Sequence, residues 1–107
     1  MLTAPDELFK TLADPTRRAI YERIVLGGAH TVHALTDRSG VSQPAVSKHL
    51  AQLKRAGLVS DEKSGRETRY SAKADGLAPL VDWMKHYGTF WNDHMDQLEN
   101  LLNRIDS

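Results

Sequence analysis

The residues from Ser42 to Val59, "SQPAVSKHLAQLKRAGLV", decide the fold of this chain. The hydroxyl of Ser42 can cap the start of a helix, and Gly57 can end it because glycine tolerates the left-handed backbone of a tight stop. Apolar side chains recur between these two points at helical spacing, and they are Val46, Leu50 and Leu53. The segment therefore predicts a short amphipathic helix with one buried stripe.

The opposite face of this helix carries Gln43, Pro44, Ser47 and Lys48 rather than the mixture of Glu and Lys that a merely solvated face usually has. An α-helix fits the major groove of B-DNA, where Gln, Ser and Lys can meet donors and acceptors on the base edges. Gln43 and Ser47 are therefore candidates for base contacts, and Lys48 for a base or a phosphate. His49 lies nearer the core stripe, where it either braces the helix or reaches a phosphate.

Length and composition are those of a soluble globular protein. A chain of 107 residues is long enough for one domain with one modest core. No stretch approaches the roughly 18 apolar residues that span a bilayer, and the amino end lacks the pattern of a secretory signal, so we expect a cytoplasmic protein without a membrane partner. The absence of cysteine excludes disulfides, thiolate metal sites and thiol redox switches.

The distribution of charge is uneven along the chain, although the formal net charge is zero. Residues 43–73 hold seven basic and three acidic side chains, a local net charge of +4, whereas residues 74–107 hold two basic and six acidic ones. Lys and Arg make most protein contacts to phosphates, so the basic middle segment favours a nucleic-acid partner.

Three shorter helices are predicted before the opening segment. The first runs from Asp6 to Ala13 behind an acidic start, and the second opens at Asp14, an N-cap followed by proline. The third is capped by Thr31 and ends at Ser39-Gly40. Their expected inward residues are Leu8, Phe9 and Leu12, then Ile20, Ile24 and Val25, then Val32 and Leu35.

The third and fourth helices are separated by residues 39–41 alone, so they must cross steeply and form a helix-turn-helix unit. Residues 58–71 then predict two short strands around Ser64-Gly65, a hairpin with Lys63 and Arg66 at or beside its tip. A helix-turn-helix followed at once by a basic hairpin is a winged helix. The wing can contact the DNA backbone or the minor groove through Lys63, Arg66 and Arg69, although Arg69 could instead pair with Glu67 or Asp61.

The last third of the chain has a heptad pattern. Apolar side chains repeat every seven residues at Leu77, Met84, Trp91, Leu98 and Ile105. The pattern predicts one helix about 42 Å long, more than the core of so small a domain can cover, so its surplus apolar face needs a partner, most simply a second copy of the chain. The residues predicted for a dimer interface on this helix are Leu80, Met84, Tyr87, Trp91, His94, Leu98 and Leu101.

These elements predict a mainly α fold with a small β-hairpin, a winged helix-turn-helix in the order α-α-α-α-β-β-α. We expect one domain over residues 1–107, with a DNA-binding core at 6–75 and a dimerisation helix at 77–105. The predicted DNA-binding residues are Ser42, Gln43, Pro44, Ser47, Lys48, His49, Lys63, Arg66 and Arg69.

Two segments also resemble a known family. Residues 8–24, "LFKTLADPTRRAIYERI", and 41–71, "VSQPAVSKHLAQLKRAGLVSDEKSGRETRYS", are similar to the ArsR-type winged-helix repressors in their Ala-Asp-Pro-Thr-Arg, Ser-Gln-Pro, Ser-x-His-Leu and Ala-Gly-Leu-Val motifs, taken in order. The resemblance covers about residues 7–71. It implies a homodimeric regulator that binds an operator in double-stranded DNA, usually as a repressor, and dimerises through its first and last helices. On the first helix, the resemblance thus adds Leu8 and Leu12 to the predicted dimer interface.

The metal sites of that family are not matched. Thr31 and His33 stand where the resemblance would require cysteines, and no register of His86 or His94 reproduces the family's ligand pattern on the last helix. His30 and His33, three residues apart, could hold a metal with help from Asp37, but an ordinary surface role is the simpler interpretation. His94 is interpreted as a hydrogen-bonded interface residue.

We therefore expect a DNA-binding regulator without enzymatic activity, resident metal or cofactor, because no motif in the chain supports catalysis. One alternative is a metal-responsive repressor with a non-standard histidine site. Another is a protein-interaction module that keeps the winged-helix shape without reading DNA. A small-molecule effector stays open, and the place to look for it is the aromatic cluster of Trp83, Tyr87, Phe90 and Trp91.

Overall fold

A computed structural model describes the backbone of residues 3–106 and the side chains of that range except at positions 89, 91, 95, 98, 105 and 106. The helices and strands follow in the order α1 (Ala4–Ala13), α2 (Pro15–Gly27), β1 (His30–Thr31), α3 (Val32–Thr36), α4 (Gln43–Arg55), β2 (Val59–Ser64), β3 (Glu67–Ala72), α5 (Ala78–His86) and α6 (Gly88–Asp106). This is the predicted winged-helix arrangement. Within the described residues no helix is both long and apolar enough to cross a membrane.

The α4 helix lies at the centre of the fold and packs against α2, α3 and β2. Its predicted stripe is confirmed, since Val46, Leu50 and Leu53 are each 0% exposed. The predicted cap is also confirmed, because the hydroxyl of Ser42 accepts a hydrogen bond from the backbone N–H of Ala45 at 3.3 Å. Packing of this stripe supplies most of the helix stability, since a helix of 13 residues is marginal alone in water.

The α2 helix begins as predicted, with Asp14 as its N-cap and Pro15 in the first turn. The carboxylate of Asp14 accepts a hydrogen bond from the backbone N–H of Arg17 at 2.9 Å. That bond is the main reason why the pKa of Asp14 lies below its usual value. Ile20 and Ile24 are buried as predicted.

Two apolar side chains expected inside are half exposed, and here the prediction was wrong. Val25 is 50% exposed because it follows the buried Ile24 by one position, about 100° further around the helix. Phe9 is 46% exposed, and its ring instead meets the edge of Trp83 on α5. The α1 helix also starts two residues before the predicted Asp6, because Thr3 takes the cap position and forms a reciprocal capping box with Asp6.

The α3 helix has the predicted cap, with the hydroxyl of Thr31 accepting a hydrogen bond from the backbone N–H of Ala34 at 3.0 Å. Leu35 is fully buried, and Val32 packs on the edge of the core. The turn that leads to α4 has left-handed backbone at Arg38, φ 63°, and at Gly40, φ 76°. The connection between the two helices is longer than the predicted residues 39–41, because α3 already ends at Thr36 and α4 starts at Gln43.

The wing is an antiparallel hairpin of β2 and β3, as predicted, and its two-residue turn places Gly65 at φ 65°. A third strand, β1, was not predicted. It has only two residues and pairs with β3, so that His30 lies opposite Tyr70 and Thr31 opposite Arg69. The sheet order is therefore β1-β3-β2.

The single helix predicted over residues 77–105 is divided in two, which corrects the sequence prediction. Helix α5 ends at His86, Tyr87 follows as its C-cap with φ −105° and ψ 21°, and α6 starts at Gly88. The break falls beside Gly88, and glycine has a low helix propensity because its backbone loses more conformational freedom in a helix than that of other residues. The heptad pattern therefore spans two helices rather than one.

We expect Leu50→Ala to lower the free energy of unfolding by about 2–5 kcal/mol, because it removes buried methyl groups and leaves a cavity in the core. Denaturant titration followed by circular dichroism measures this change. The matched control is Ala51→Ser, at an exposed position of the same helix, for which we expect a change within about 0.5 kcal/mol. A loss for Leu50→Ala as small as that of the control would contradict the central role of the stripe.

Candidate nucleic-acid interface

The side of α4 that faces away from the core forms an exposed edge made of Gln43, Pro44, Ser47, Lys48 and Ala51. Positions 44, 47, 48 and 51 follow helical spacing, so these side chains share one face, with Gln43 at its leading end. The exposed edge combines hydrogen-bonding groups with small side chains. Such a surface can enter a major groove closely and contact the base edges there.

Ser42 is exposed at the start of α4, and its hydroxyl is engaged in the helix cap. A capping hydroxyl keeps the leading turn of the helix in shape, and this turn carries Gln43. The hydroxyl of Ser42 therefore helps to orient the exposed edge of α4.

His49 does not belong to the exposed edge. It is partly buried, and its Nδ1 atom is buried with no hydrogen-bond partner among the described residues. The backbone N–H of Arg17 is the main cause of the lowered pKa of Asp14, and the nearby imidazole of His49 adds a smaller attraction. His49 therefore faces the start of α2, the position of a brace rather than of a groove contact.

The basic residues of the wing are all exposed but occupy different sides of the hairpin. Lys63 lies opposite Thr68, and Arg69 lies opposite Glu62, one register position further along. Because successive residues of a strand point to opposite faces, Lys63 and Arg69 lie on different faces. Arg66 occupies the turn after Gly65, at the tip of the wing.

An ion pair that was not predicted joins α4 to the wing. The ammonium of Lys54, near the end of α4, lies 2.9 Å from a carboxylate oxygen of Asp61 on β2. The sequence left Asp61 open as one of two alternative partners of Arg69, and in the structure Asp61 pairs with Lys54. The hydrogen bond that Lys54 donates to Asp61 raises the pKa of Lys54. No signal in the sequence indicates this pair, because it forms only when the hairpin folds back along α4.

The helix-turn-helix is joined to the wing at a second point. The pairing of β1 with β3 places Thr31, the cap of α3, opposite Arg69. The start of α3, the exposed edge of α4 and the wing are thus held together by backbone pairing on one side and by the Lys54–Asp61 pair on the other. These contacts therefore connect the three elements to one another.

The predicted metal candidates are not brought together. The Nδ1 atom of His30 lies 2.6 Å from the carbonyl oxygen of Gly28, while His33 is exposed on α3 and Asp37 follows its end. His94 likewise has its Nδ1 atom 2.9 Å from the carbonyl oxygen of Phe90 in its own helix. Across the described part of the chain, no three His, Asp or Glu side chains form a group that could hold a metal ion.

The residues predicted for a dimer interface fall into three groups. Leu8 is 1% exposed in the core of the protomer, which corrects its assignment to the interface, while Leu12 and Leu80 are partly buried against that core. Exposed side chains are found at Met84, Tyr87, His94 and Leu101. The side chains of Trp91 and Leu98 lie outside the described residues.

Three of the four residues of the predicted aromatic cluster have described ring contacts, one of which reaches Phe9 of α1, while the side chain of Trp91 lies outside the described residues. The ring of Trp83 lies 5.3 Å from that of Phe9 and 4.9 Å from that of Tyr87, while the ring of Phe90 stacks on His94 at 4.4 Å. Trp83 and Tyr87 remain about half exposed. These aromatic side chains therefore contribute to an exposed apolar surface on α1, α5 and α6.

Comparison with known proteins gives consistent results. A family model described as a helix-turn-helix domain matches residues 12–62. The transcriptional repressor SdpR of Bacillus subtilis is 33% identical over 82 residues, which cover 77% of this chain and 90% of SdpR. The HTH-type transcriptional repressor SmtB of Mycobacterium tuberculosis is 43% identical over 89 residues, which cover 82% of this chain and 65% of SmtB.

A solved structure, an ArsR-like transcriptional regulator from Rhodococcus sp. RHA1, superimposes with a TM-score of 0.70 at 29% identity, and the match covers 89% of both chains. The similarity thus extends well beyond the helix-turn-helix segment and includes the wing and much of the last two helices.

We expect Lys54→Gln to speed amide hydrogen exchange at the base of the wing, residues 59–63, by about two- to fivefold, the scale of a surface ion pair. Hydrogen exchange followed by mass spectrometry measures this effect. Lys54→Arg, which keeps the charge, is the control. The pKa of Lys54 is raised, so the stabilisation is complete below the usual lysine value of 10.5 and is lost as the pH rises through the raised pKa. Equal exchange in both variants at neutral pH would rule out a role for the pair.

Proposed function

Because the chain belongs to the ArsR/SmtB family of winged helix-turn-helix transcriptional repressors, which bind DNA and are not enzymes, we propose that it acts as a homodimer on an inverted-repeat operator. The observation that carries this proposal is the exposed edge of α4, together with the basic wing to which the Lys54–Asp61 ion pair links α4. We also propose that the protein acts in the cytoplasm.

In the proposed complex the leading half of α4 lies in the major groove. Gln43 and Ser47 contact base edges, and Lys48 contacts a base or a phosphate. Pro44 and Ala51 leave room for close approach. Sequence preference then comes from a few side chains at the front of the helix, while most of the affinity comes from phosphate contacts.

The wing supplies a second set of contacts in this proposal. Arg66, at the tip, reaches the backbone or the minor groove, and Lys63 and Arg69 approach the phosphates from the two faces of the hairpin. Such contacts release counterions and therefore weaken as salt concentration rises. They add affinity for every duplex and little preference among sequences.

The exposed apolar side chains of α1, α5 and α6 support the homodimer. Trp83, Met84, Tyr87 and Leu101 are each 40% or more exposed, a degree that favours a covered surface over contact with water. A second copy of the chain, related by a twofold axis, would cover this surface and present two recognition helices. The operator should then be an inverted repeat with half-site centres about 10 base pairs, or a small multiple, apart.

The DNA-reading part of the proposal is tested by selecting genomic fragments that the purified protein binds and then measuring variants on the selected operator. We expect Gln43→Ala and Ser47→Ala to reduce discrimination between the operator and a scrambled duplex by about tenfold or more, because each loses a base contact. Fluorescence anisotropy measures both affinities.

Arg66→Ala is the comparison variant, for which we expect weaker binding to both duplexes and a shallower salt dependence, with discrimination retained. Full retention of discrimination by both α4 variants would show that another surface reads the bases.

The dimer part of the proposal is tested by sedimentation velocity. We expect Met84→Lys to raise the dissociation constant of the dimer about tenfold or more, because an unpaired ammonium is costly to bury. The matched control is Leu26→Lys, which alters a side chain 87% exposed at the end of α2 and should leave association unchanged. A wild-type protein that sediments as a monomer at micromolar concentration would overturn the proposed assembly.

A further inference from the structure

We infer that Arg23, on α2 and outside the surface proposed to face DNA, is a positioning residue for DNA recognition. Its guanidinium group fixes the end of α3 and the start of the turn to α4, and thereby sets the angle at which the exposed edge of α4 is presented. This inference rests on the proposed function, since it concerns how that function obtains its geometry.

The contacts of Arg23 are specific and geometrically good. One terminal nitrogen, Nη1, donates hydrogen bonds to the carbonyl oxygens of Leu35 at 2.8 Å and Asp37 at 2.9 Å. The other, Nη2, donates to the carbonyl oxygen of Ala34 at 3.0 Å. A single planar guanidinium, which always carries its charge, therefore binds three backbone carbonyls of another element.

These carbonyls are the ones that a helix end leaves without partners. The last four carbonyls of a helix have no intrahelical donor, and α3 has only five residues. The fourth group of this set, the carbonyl oxygen of Thr36, accepts from the backbone N–H of Ser39 at 3.1 Å and from its hydroxyl at 2.8 Å. Arg23 and Ser39 together thus donate at least one hydrogen bond to each backbone carbonyl of residues 34–37.

The turn that follows depends on this anchoring. Arg38 adopts φ 63°, a left-handed conformation that is unfavourable for residues other than glycine. Gly40 adopts φ 76°. The hydroxyl oxygen of Ser39 holds the far side of the turn, since it accepts a hydrogen bond from the backbone N–H of Val41 at 3.2 Å. Strained backbone of this kind persists only where its surroundings fix it.

The connection to the exposed edge of α4 is short. Ser42 follows the turn directly and caps α4, so a change in the position of residues 37–41 moves the leading end of the helix, where Gln43 lies. A base contact depends on an accurate position of this side chain, whereas phosphate contacts tolerate small shifts. Loss of the Arg23 bonds should therefore reduce discrimination among sequences more than it reduces general affinity.

The same helix provides a matched control. Arg18, also on α2, donates from Nη1 to the carbonyl oxygen of Leu12 at 2.9 Å, at the end of α1 and away from the helix-turn-helix. Its guanidinium group also donates to a backbone carbonyl, but at the end of a different helix. A general effect of losing an arginine contact to a helix end should appear in both variants, whereas a positioning effect should appear only for Arg23.

The experiment compares Arg23→Gln, Arg18→Gln and wild type in their affinities for the selected operator and for a scrambled duplex. We expect Arg23→Gln to lower the ratio of the two affinities about tenfold, a difference equivalent to one base contact, and Arg18→Gln to leave it within about twofold of the wild type. Thermal unfolding of each variant establishes that it is folded at the assay temperature. If Arg23→Gln is not folded, Arg23→Lys takes its place, because it keeps the charge but lacks the planar fork.

A second measurement is independent of DNA. Hydrogen exchange should become faster over residues 34–43 in Arg23→Gln and stay unchanged there in Arg18→Gln. An unchanged affinity ratio in Arg23→Gln, or an equal loss in Arg18→Gln, would overturn the inference while leaving the proposed function intact. A wild-type protein that does not distinguish operator from scrambled duplex would instead overturn the proposed function itself.

Discussion

The rest of the structure depends on the burial of one stripe of α4. Val46, Leu50 and Leu53 are fully excluded from water, and each contributes about 1.5–3 kcal/mol from burial alone. The polar contacts at the surface of this fold are each worth about 1 kcal/mol or less. Burial therefore sets the rotation of the helix, and because a helix turns by about 100° per residue, it also sets the direction in which Gln43 and Ser47 point.

A smaller set of polar contacts links α3, α4 and the wing to one another. Arg23 satisfies the end of α3, and the pair of Lys54 with Asp61 ties the wing to the end of α4. The pairing of β1 with β3 joins the start of α3 to the same wing. These contacts add little to the total stability, but they join elements that already share the core, in which Val59 is buried and Tyr70 and Ala72 pack at its edge. They therefore help to set the relative arrangement of α3, α4 and the wing.

Features with local causes were predictable from the sequence, and those with distant causes were not. The caps at Asp14, Thr31 and Ser42 depend on side chains that bond backbone three residues away, so their positions follow from short motifs. The strand β1 was missed because two residues form a strand only when a partner lies beside them. The heptad pattern of the last third correctly indicated an apolar surface, but it did not reveal the break at Tyr87, which depends on backbone angles that periodicity does not report.

The sequence by itself determined the helix-turn-helix, the wing, the family and the polar composition of the exposed edge of α4, since each follows from periodicity or from a motif within a few residues. Only the tertiary structure decided which charged side chains hold that surface in place. Arg23 bonds carbonyls 11 to 14 positions away along the chain, and Lys54 reaches across a turn to another element. Such contacts depend on how helices and strands pack in space, and packing brings together residues whose spacing along the chain carries no periodic signal.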